Sequence, residues 1–190
     1  PNTIKLIEAN AFKGGHITSI RIPQSVNEIK DGAFGQMDYL TAINVDPANT
    51  KFRSEDGVLI EKKGSQDWVA AYPVARPGAE YTVREGIYGV NTNAFQRASN
   101  LTKITLPASL KESPSSAEFN GYTSAQNLRE IAVAAGNTAF KSVGGVLLSA
   151  DGKKLIAYPN GKAGSPSTNP DYQGVVGQPN ASVYKIPDGV

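Results

Sequence analysis

The stretch "LTKITLPASL" at residues 101–110 has apolar residues at Leu101, Ile104 and Leu106, just before a proline. The stretch "ITSIRIPQSV" at residues 17–26 has the same layout 84 residues earlier. Alternating apolar and polar residues are typical of a short β-strand, and proline ends such a strand because it has no N–H to donate. The chain therefore contains the same strand more than once, which predicts a repeat architecture.

An Ala-Phe pair precedes each of these strands and belongs to the same repeat. The set Ile4, Ile7, Ala11, Phe12 returns after 22 residues as Val26, Ile29, Ala33, Phe34, again as Ile87, Val90, Ala94, Phe95, and in degraded form around Phe119. A coil this short cannot bury its own apolar face, so stacked coils have to share a continuous core. The pattern predicts a leucine-rich-repeat-like solenoid that is mostly β with little helix. Each coil of roughly 22–23 residues would contribute one short parallel strand.

Two longer segments repeat each other at a distance of 88 residues. They are "NTKFRSEDGVL" at 49–59 and "NTAFKSVGGVL" at 137–147, and both lead on to an Ala-Tyr-Pro sequence. Apolar runs on either side of turn residues predict a β-hairpin insert in each segment. We expect a two-residue turn at Asp151–Gly152 in the second copy, and a longer connection at 62–68 in the first.

These repeats predict a single repeat domain over residues 1–190. We expect solenoid coils over 1–48 and 82–136, and hairpin inserts over 49–81 and 137–187. Residues 160–180 are rich in Gly, Pro, Ser and Asn and are expected to form a flexible loop. The sequence stops where another repeat would begin, so we expect it to be a piece of a longer array.

Composition argues against several classes of function. The net charge is only +2 and the basic residues are scattered, whereas nucleic-acid binding usually needs a clustered basic face. No run approaches the roughly 18 apolar residues of a membrane span. The absence of cysteine excludes disulfides, thiol nucleophiles and thiolate metal sites. We expect no nucleic-acid partner, no membrane span in this segment and no cofactor.

The residues with catalytic potential are few. His16 is the single histidine and follows two glycines, so we expect it in an exposed loop, without the carboxylate and nucleophile that a catalytic base needs. Glu55 and Asp56 are adjacent, and neighbours in a strand point to opposite faces, which favours the start of a hairpin over a glycosidase carboxylate pair. The sequence predicts no catalytic residue and no metal ligand.

Three parts of the sequence have a pattern that is known from a repeat family. They are "IRIPQSVNEIKDGAFGQMDYLTAINV" at 20–45, "GVNTNAFQRASNLTKITLPASL" at 89–110 and the "DGVL" of the first insert. They resemble the BspA-type, or Treponema-type, leucine-rich repeats of bacterial surface proteins. The fourth repeat departs from the pattern at Ser113 and has three extra residues. The resemblance implies a right-handed solenoid that is secreted or exposed on a bacterial cell. It also implies binding to host proteins, other cells or glycans, and no catalysis.

The outward positions of the predicted strands form the best candidate binding surface, because a solenoid stacks them into an extended face. They are Thr18, Ser19, Arg21, Thr41, Asn44, Thr102, Lys103, Thr105, Arg129 and Glu130. Hydroxyl groups beside a few cations could bind a peptide or a sugar. The alternative is that these are simply the solvated residues that any half-exposed strand presents.

Trp68 is a candidate aromatic contact, because it has no counterpart in the second insert. Exposed aromatic side chains often anchor sugars or protein partners. The alternative is that Trp68 packs the hairpin onto the solenoid.

Three functions remain open at this stage. The first is a non-enzymatic binding module of a surface or secreted protein, with a protein or glycan ligand that is host-derived or from another source. The second is a structural spacer that displays another part of a larger surface protein. A hydrolase acting on carbohydrate or peptide is the distant third.

Overall fold

The structure is a computed structural model that describes residues 3–112, residues 125–162 and two strands at 165–166 and 182–183. Short strands joined by tight turns make up almost all of it. The strands are β1 Leu6–Ile7, β2 Ser19–Ile22, β3 Glu28–Ile29, β4 Ala42–Val45, β5 Phe52–Glu55, β6 Val58–Lys63, β7 Gln66–Ala71, β8 Glu80–Thr82, β9 Ile87–Val90, β10 Lys103–Leu106, β11 Glu130–Val133, β12 Phe140–Val143, β13 Val146–Ser149, β14 Leu155–Ala157, β15 Ser165–Pro166 and β16 Ser182–Val183. The described residues contain no helix.

Equivalent strands of successive coils pair side by side and in parallel. β1 pairs with β3 so that Ile7 lies opposite Ile29, and β2 pairs with β4 so that Ile20 lies opposite Ile43. β10 lies between β8 and β11 in a third parallel sheet. The pairing follows the repeat found in the sequence, so the prediction of a leucine-rich-repeat-like solenoid is confirmed. The first two coils differ from the expected single strand, because each contributes a two-residue strand, β1 or β3, in addition to its four-residue strand.

The Ala-Phe pairs lie at the back of the coils, where their phenylalanine side chains fill the interior. Phe34 and Phe95 are buried, while Phe12 is half-buried and stacks on Phe34 with 5.6 Å between the ring centres. Leu40 and Leu101, which come between the Ala-Phe pair and the following strand, are fully buried. These apolar positions explain why the motif recurs at a constant spacing.

The core differs from the expected continuous interior, because the first insert divides it into two clusters. β5, β6 and β7 form an antiparallel meander, and β7 then pairs in parallel with β9. Successive side chains of a strand point to opposite faces, so Leu59 packs into the cluster of the first two coils, while Val58 and Ile60 pack into the cluster beyond. The insert is therefore a wall with an apolar core on each side.

The two-residue turns lie at positions other than those expected. In the first insert, the second connection is Gly64–Ser65, because Lys63 lies opposite Gln66, so the prediction of a longer connection is wrong. In the second insert, the prediction of a two-residue turn at Asp151–Gly152 is also wrong. The N–H of Ser149 donates to the carbonyl of Lys154 at 2.9 Å, which leaves four residues in the loop. The Asp151 carboxylate stabilises this wider loop by accepting bonds from the Ser149 hydroxyl and the Lys153 N–H.

In each insert, a tight turn joins the first two strands, and this turn docks on the parallel strand that precedes the insert, β4 or β11. The turn residues are Asp56–Gly57 and Gly144–Gly145, all with positive φ. The carbonyl of Gly57 accepts from the N–H of Ile43 at 2.8 Å, and that of Gly145 accepts from Ile131 at 2.9 Å. These bonds connect each insert to the ladder of parallel strands.

Some expectations concern residues outside the described ranges. They include the degraded fourth repeat from Ser113 to Phe119 and most of the loop expected over 160–180. The division of the chain into coils and inserts by residue range also stays a prediction.

Candidate binding surface

The parallel sheets bring the outward side chains of successive coils into rows, which we call the ladder face. Its first part consists of the outward positions on β2 and β4, where Arg21 lies opposite Asn44. In the second part, Lys103 lies between Glu80 and Glu130. Thr105 lies beside Lys103 on β10, at an outward position of the next row. The structure thus aligns the candidate residues that the sequence placed at equivalent repeat positions.

The charged side chains of the ladder face are largely paired with one another. The Lys103 ammonium lies 3.1 Å from the Glu130 carboxylate, and the Arg21 guanidinium lies 3.1 Å from the Asp46 carboxylate. Exposed ion pairs of this kind contribute little to stability, about 0–1 kcal/mol, so a ligand could separate them at small cost. Arg129 is exposed and lies immediately before β11.

The two threonines that precede β4 and β10 connect one coil to the coil before it. The Thr41 hydroxyl donates to the carbonyl of Thr18 at 2.8 Å, and its backbone N–H donates to the same oxygen at 2.7 Å. Thr102 makes the corresponding bonds to the carbonyl of Ala79, at 3.0 and 2.7 Å. These hydroxyl protons serve the fold, which leaves Ser19, Asn44 and Thr105 as the better placed ligand-binding groups.

Trp68 packs the first insert against β9 instead of projecting from it. Its ring lies against Gly89, where an added Cβ would come within 2.5 Å of a ring carbon. The Lys63 ammonium lies 4.3 Å from the ring centre, and the Tyr88 ring lies 5.9 Å away. Trp68 is half-buried in this arrangement, which favours packing over ligand contact.

A cluster of four charged side chains at the edge of the first insert was not anticipated from the sequence. Arg53 binds both Glu55 and Asp67, each at 2.8 Å, and Arg84 binds Glu55 at 2.9 Å. The only available signal was the alternation of Arg53 and Glu55 on one strand, and nothing in it indicated the distant Asp67 and Arg84. The cluster connects the insert to the segment after β8.

The charge cluster also perturbs the acidity of its carboxyl groups. Partial burial alone would raise the pKa of Glu55, but hydrogen bonds from Arg84 and Arg53 outweigh it and lower the pKa. The hydrogen bond from Arg53 likewise holds the pKa of Asp67 below its ordinary value. Both carboxylates are therefore held in their charged form by ion pairing, and neither is held protonated as a general acid would be.

The remaining candidates for chemistry are not assembled into a site. His16 stacks on the exposed ring of Tyr39, with 5.2 Å between ring centres. Asp56 lies in the tight turn with a φ of 50°, while the Glu55 carboxylate is engaged by the arginines. In the part of the chain that the structure describes, no group of three or more acidic or histidine side chains could hold a metal ion. The same residues contain no helix with the length and hydropathy needed to cross a membrane.

The repeats and the fold together define a family. The model of the BspA type leucine rich repeat region matches residues 1–55 and 79–143, in 6 copies. The match covers more than half of the chain, so the protein belongs to the BspA-type leucine-rich repeat family. No curated protein gives a significant match.

Three solved structures share the fold. A leucine rich cell surface protein from Faecalibacterium prausnitzii A2-165 is 26% identical, with a TM-score of 0.59 over 69% of this chain and 33% of that one. A leucine-rich repeat protein from Eubacterium ventriosum is 22% identical, with a TM-score of 0.54 over 68% and 39%. The pneumococcal vaccine antigen PcpA is 16% identical, with a TM-score of 0.55 over 84% and 47%. The chain thus spans less than half of each of these proteins.

Proposed function

We propose that this chain is a non-enzymatic binding module of a bacterial cell-surface or secreted protein, and that it adheres to a protein, a cell or a glycan through the ladder face. The supporting observation is the in-register stacking of β8, β10 and β11, which sets polar side chains in parallel rows across three coils. Such a surface is extended and rigid, and it suits a ligand that makes many weak polar contacts.

The location at the cell surface rests on similarity. The chain belongs to the BspA-type leucine-rich repeat family, and the Faecalibacterium relative is described as a cell surface protein. The chain covers only a third of that relative, so its ligand and its means of attachment do not follow from the comparison.

The best test measures binding after a change on the ladder face that leaves the fold intact. The purified chain is screened against arrays of extracellular matrix proteins and glycans, and the affinity for each hit is then measured with Arg129→Glu. Arg129 is exposed, so reversing its charge should spare stability and weaken binding by roughly tenfold. Lys13→Glu is the matched control, because Lys13 is exposed in the loop after the first Ala-Phe pair, away from the ladder.

Equal affinities of the two variants would contradict the assignment of the ladder face. The absence of any ligand across broad arrays would count against the binding function itself.

A second candidate, the structural spacer, is favoured by the internal use of the polar groups. Lys103 and Arg21 are paired within the face, and two threonine hydroxyls connect coils. The two functions differ in their response to replacement. In the test, this segment of the full-length protein is exchanged for an unrelated rigid segment of equal length. If the full-length protein keeps its activity, the segment serves as a spacer. The hydrolase alternative gains no support, because Glu55 and Asp56 do not form a carboxylate pair.

A further inference from the structure

A narrow cleft lies between the second Ala-Phe loop, residues 29–35, and the third, residues 91–96, with side chains of the first insert also in its lining, and we call it the seam cleft. Asp31 stands at its rim, Gly35 lines one side, and Asn91 and Gln96 line the other. Gly35 lets the two sides approach closely, because a Cβ at this position would come within 1.6 Å of the Gln96 Oε1 atom.

Two buried oxygen atoms in the seam cleft have no partner. Asn91 is only 8% exposed, and its side-chain Nδ2 donates to the Glu61 carboxylate at 2.9 Å. That bond fixes the orientation of the amide, which leaves Oδ1 as an acceptor without a donor. The Oε1 atom of Gln96 is likewise buried and without a donor in the described part of the chain. Buried acceptors without donors are unfavourable, so the two atoms favour a ligand that donates hydrogen bonds.

The size of the seam cleft limits what it can hold. Its volume of about 20 Å³ accommodates one water-sized group and no more. A sugar ring, an aromatic ring or a carboxylate would not enter. An ammonium group is close to a water molecule in size, and it supplies three donors and no acceptor.

The charge around the rim favours a cation. Partial burial raises the pKa of Asp31, while Lys63 and Glu61 act on it in opposite directions. The lysines in this region pair with other carboxylates, since Lys30 pairs with Glu28, and Lys51 and Lys63 lie 3.4 and 3.8 Å from Glu61. A cation entering the cleft would therefore gain the attraction of the Asp31 carboxylate as well as the two amide oxygens.

We propose that the seam cleft is a binding site for one primary ammonium group, such as the end of a lysine side chain presented by a protein partner. The ammonium nitrogen donates to Asn91 Oδ1 and Gln96 Oε1, and its charge is balanced by Asp31 at the rim. The involvement of a protein partner rests on the proposed binding function, but binding of a free ammonium ion does not.

The test uses methylammonium chloride as the probe and the side-chain amide resonances of Asn91 and Gln96 as the readout. We expect both resonances to shift in a saturable manner during an NMR titration. Methanol is the matched control, because it is about the size of methylammonium and has an O–H donor but no charge, and it should produce no saturable shift. The side-chain amide of Asn44, which is exposed on the ladder face, reports any nonspecific effect of salt.

Two variants complete the test. Gln96→Met keeps the length of the side chain and removes one acceptor, and Asp31→Asn removes the rim charge. We expect each to weaken methylammonium binding several-fold. Any of three results would overturn the proposal: no saturable shift with methylammonium, equal shifts with methylammonium and methanol, or unchanged binding in both variants. If the chain binds a partner through the ladder face but does not bind methylammonium, only this inference fails.

Discussion

Two asparagines that begin the inserts, Asn49 and Asn137, make the same four hydrogen bonds 88 residues apart. The Asn49 amide donates to the carbonyls of Pro23 and Val26 at 3.0 and 2.9 Å. Its Oδ1 accepts from the backbone N–H groups of Lys51 and Phe52, both at 2.8 Å. Asn137 repeats this pattern with equivalent partners. Each asparagine therefore connects the turn after one coil to the first strand of an insert.

The Asn49→Asp variant should be clearly less stable than the parent protein. An aspartate can still accept two hydrogen bonds but cannot donate, so both donated bonds are lost and a negative charge faces two carbonyl oxygens. Each lost bond costs about 0.5–1.5 kcal/mol net, and an acceptor left unpaired adds to this. The two lost bonds together cost about 1–3 kcal/mol, and because Asn49 is only half-buried the two unpaired carbonyls add little, so we expect a total of about 2–3 kcal/mol.

Urea denaturation followed by the fluorescence of the single tryptophan, Trp68, measures this loss. With a slope of about 1–3 kcal/mol per molar urea, the midpoint should fall by roughly 1 M. Asn44→Asp is the matched control, because it introduces the same charge at an exposed position and should cost less than about 0.5 kcal/mol. Equal midpoints for the two variants would refute this account of the asparagine bonds.

Two further predictions concern the first insert. The pKa values of Glu55 and Asp67 are lowered in the folded state, so their ion pairs stabilise the protein above the unfolded pKa of about 4. This stability is lost as the pH falls through the folded pKa values. Urea midpoints measured from pH 7 to pH 2.5 should show the loss, and a similar pH profile for Arg84→Met would contradict it. Gly57→Ala combines a positive φ with a Cβ contact of 3.1 Å to Ala42, whereas Gly64→Ala has a positive φ in open space. We therefore expect Gly57→Ala to lower the thermal midpoint more than Gly64→Ala does, by a difference of about 1–2 kcal/mol in stability, and an equal effect would show that the turn does not dock on β4.

The repeat made the ladder of parallel strands predictable. The spacing of Ile20 and Ile43 predicts their pairing, because a solenoid places equivalent positions side by side. The divided core was harder to foresee. A run such as Val58-Leu59-Ile60 shows that both faces of a strand are buried, but it does not show that they are buried in separate clusters.

Turn lengths and polar contacts depended on the register of the strands, which local sequence does not determine. Asp56–Gly57 and Asp151–Gly152 have the same residues, yet only the first forms a two-residue turn, because Ser149 and Lys154 pair across the second. The structural role of Thr41 was not foreseen either, since its acceptor lies in the preceding coil. Asn49 could have been found, because an asparagine begins both copies of the 88-residue repeat.

The central claim is that successive coils stack with their strands parallel and in register. Interstrand NOEs between backbone protons test it most directly, since paired strands lie about 4.8 Å apart. The account predicts contacts between Arg21 and Asn44 and between Thr82 and Thr105, each 23 residues apart. Contacts running in the antiparallel sense between these strands, or no contacts between them, would contradict it.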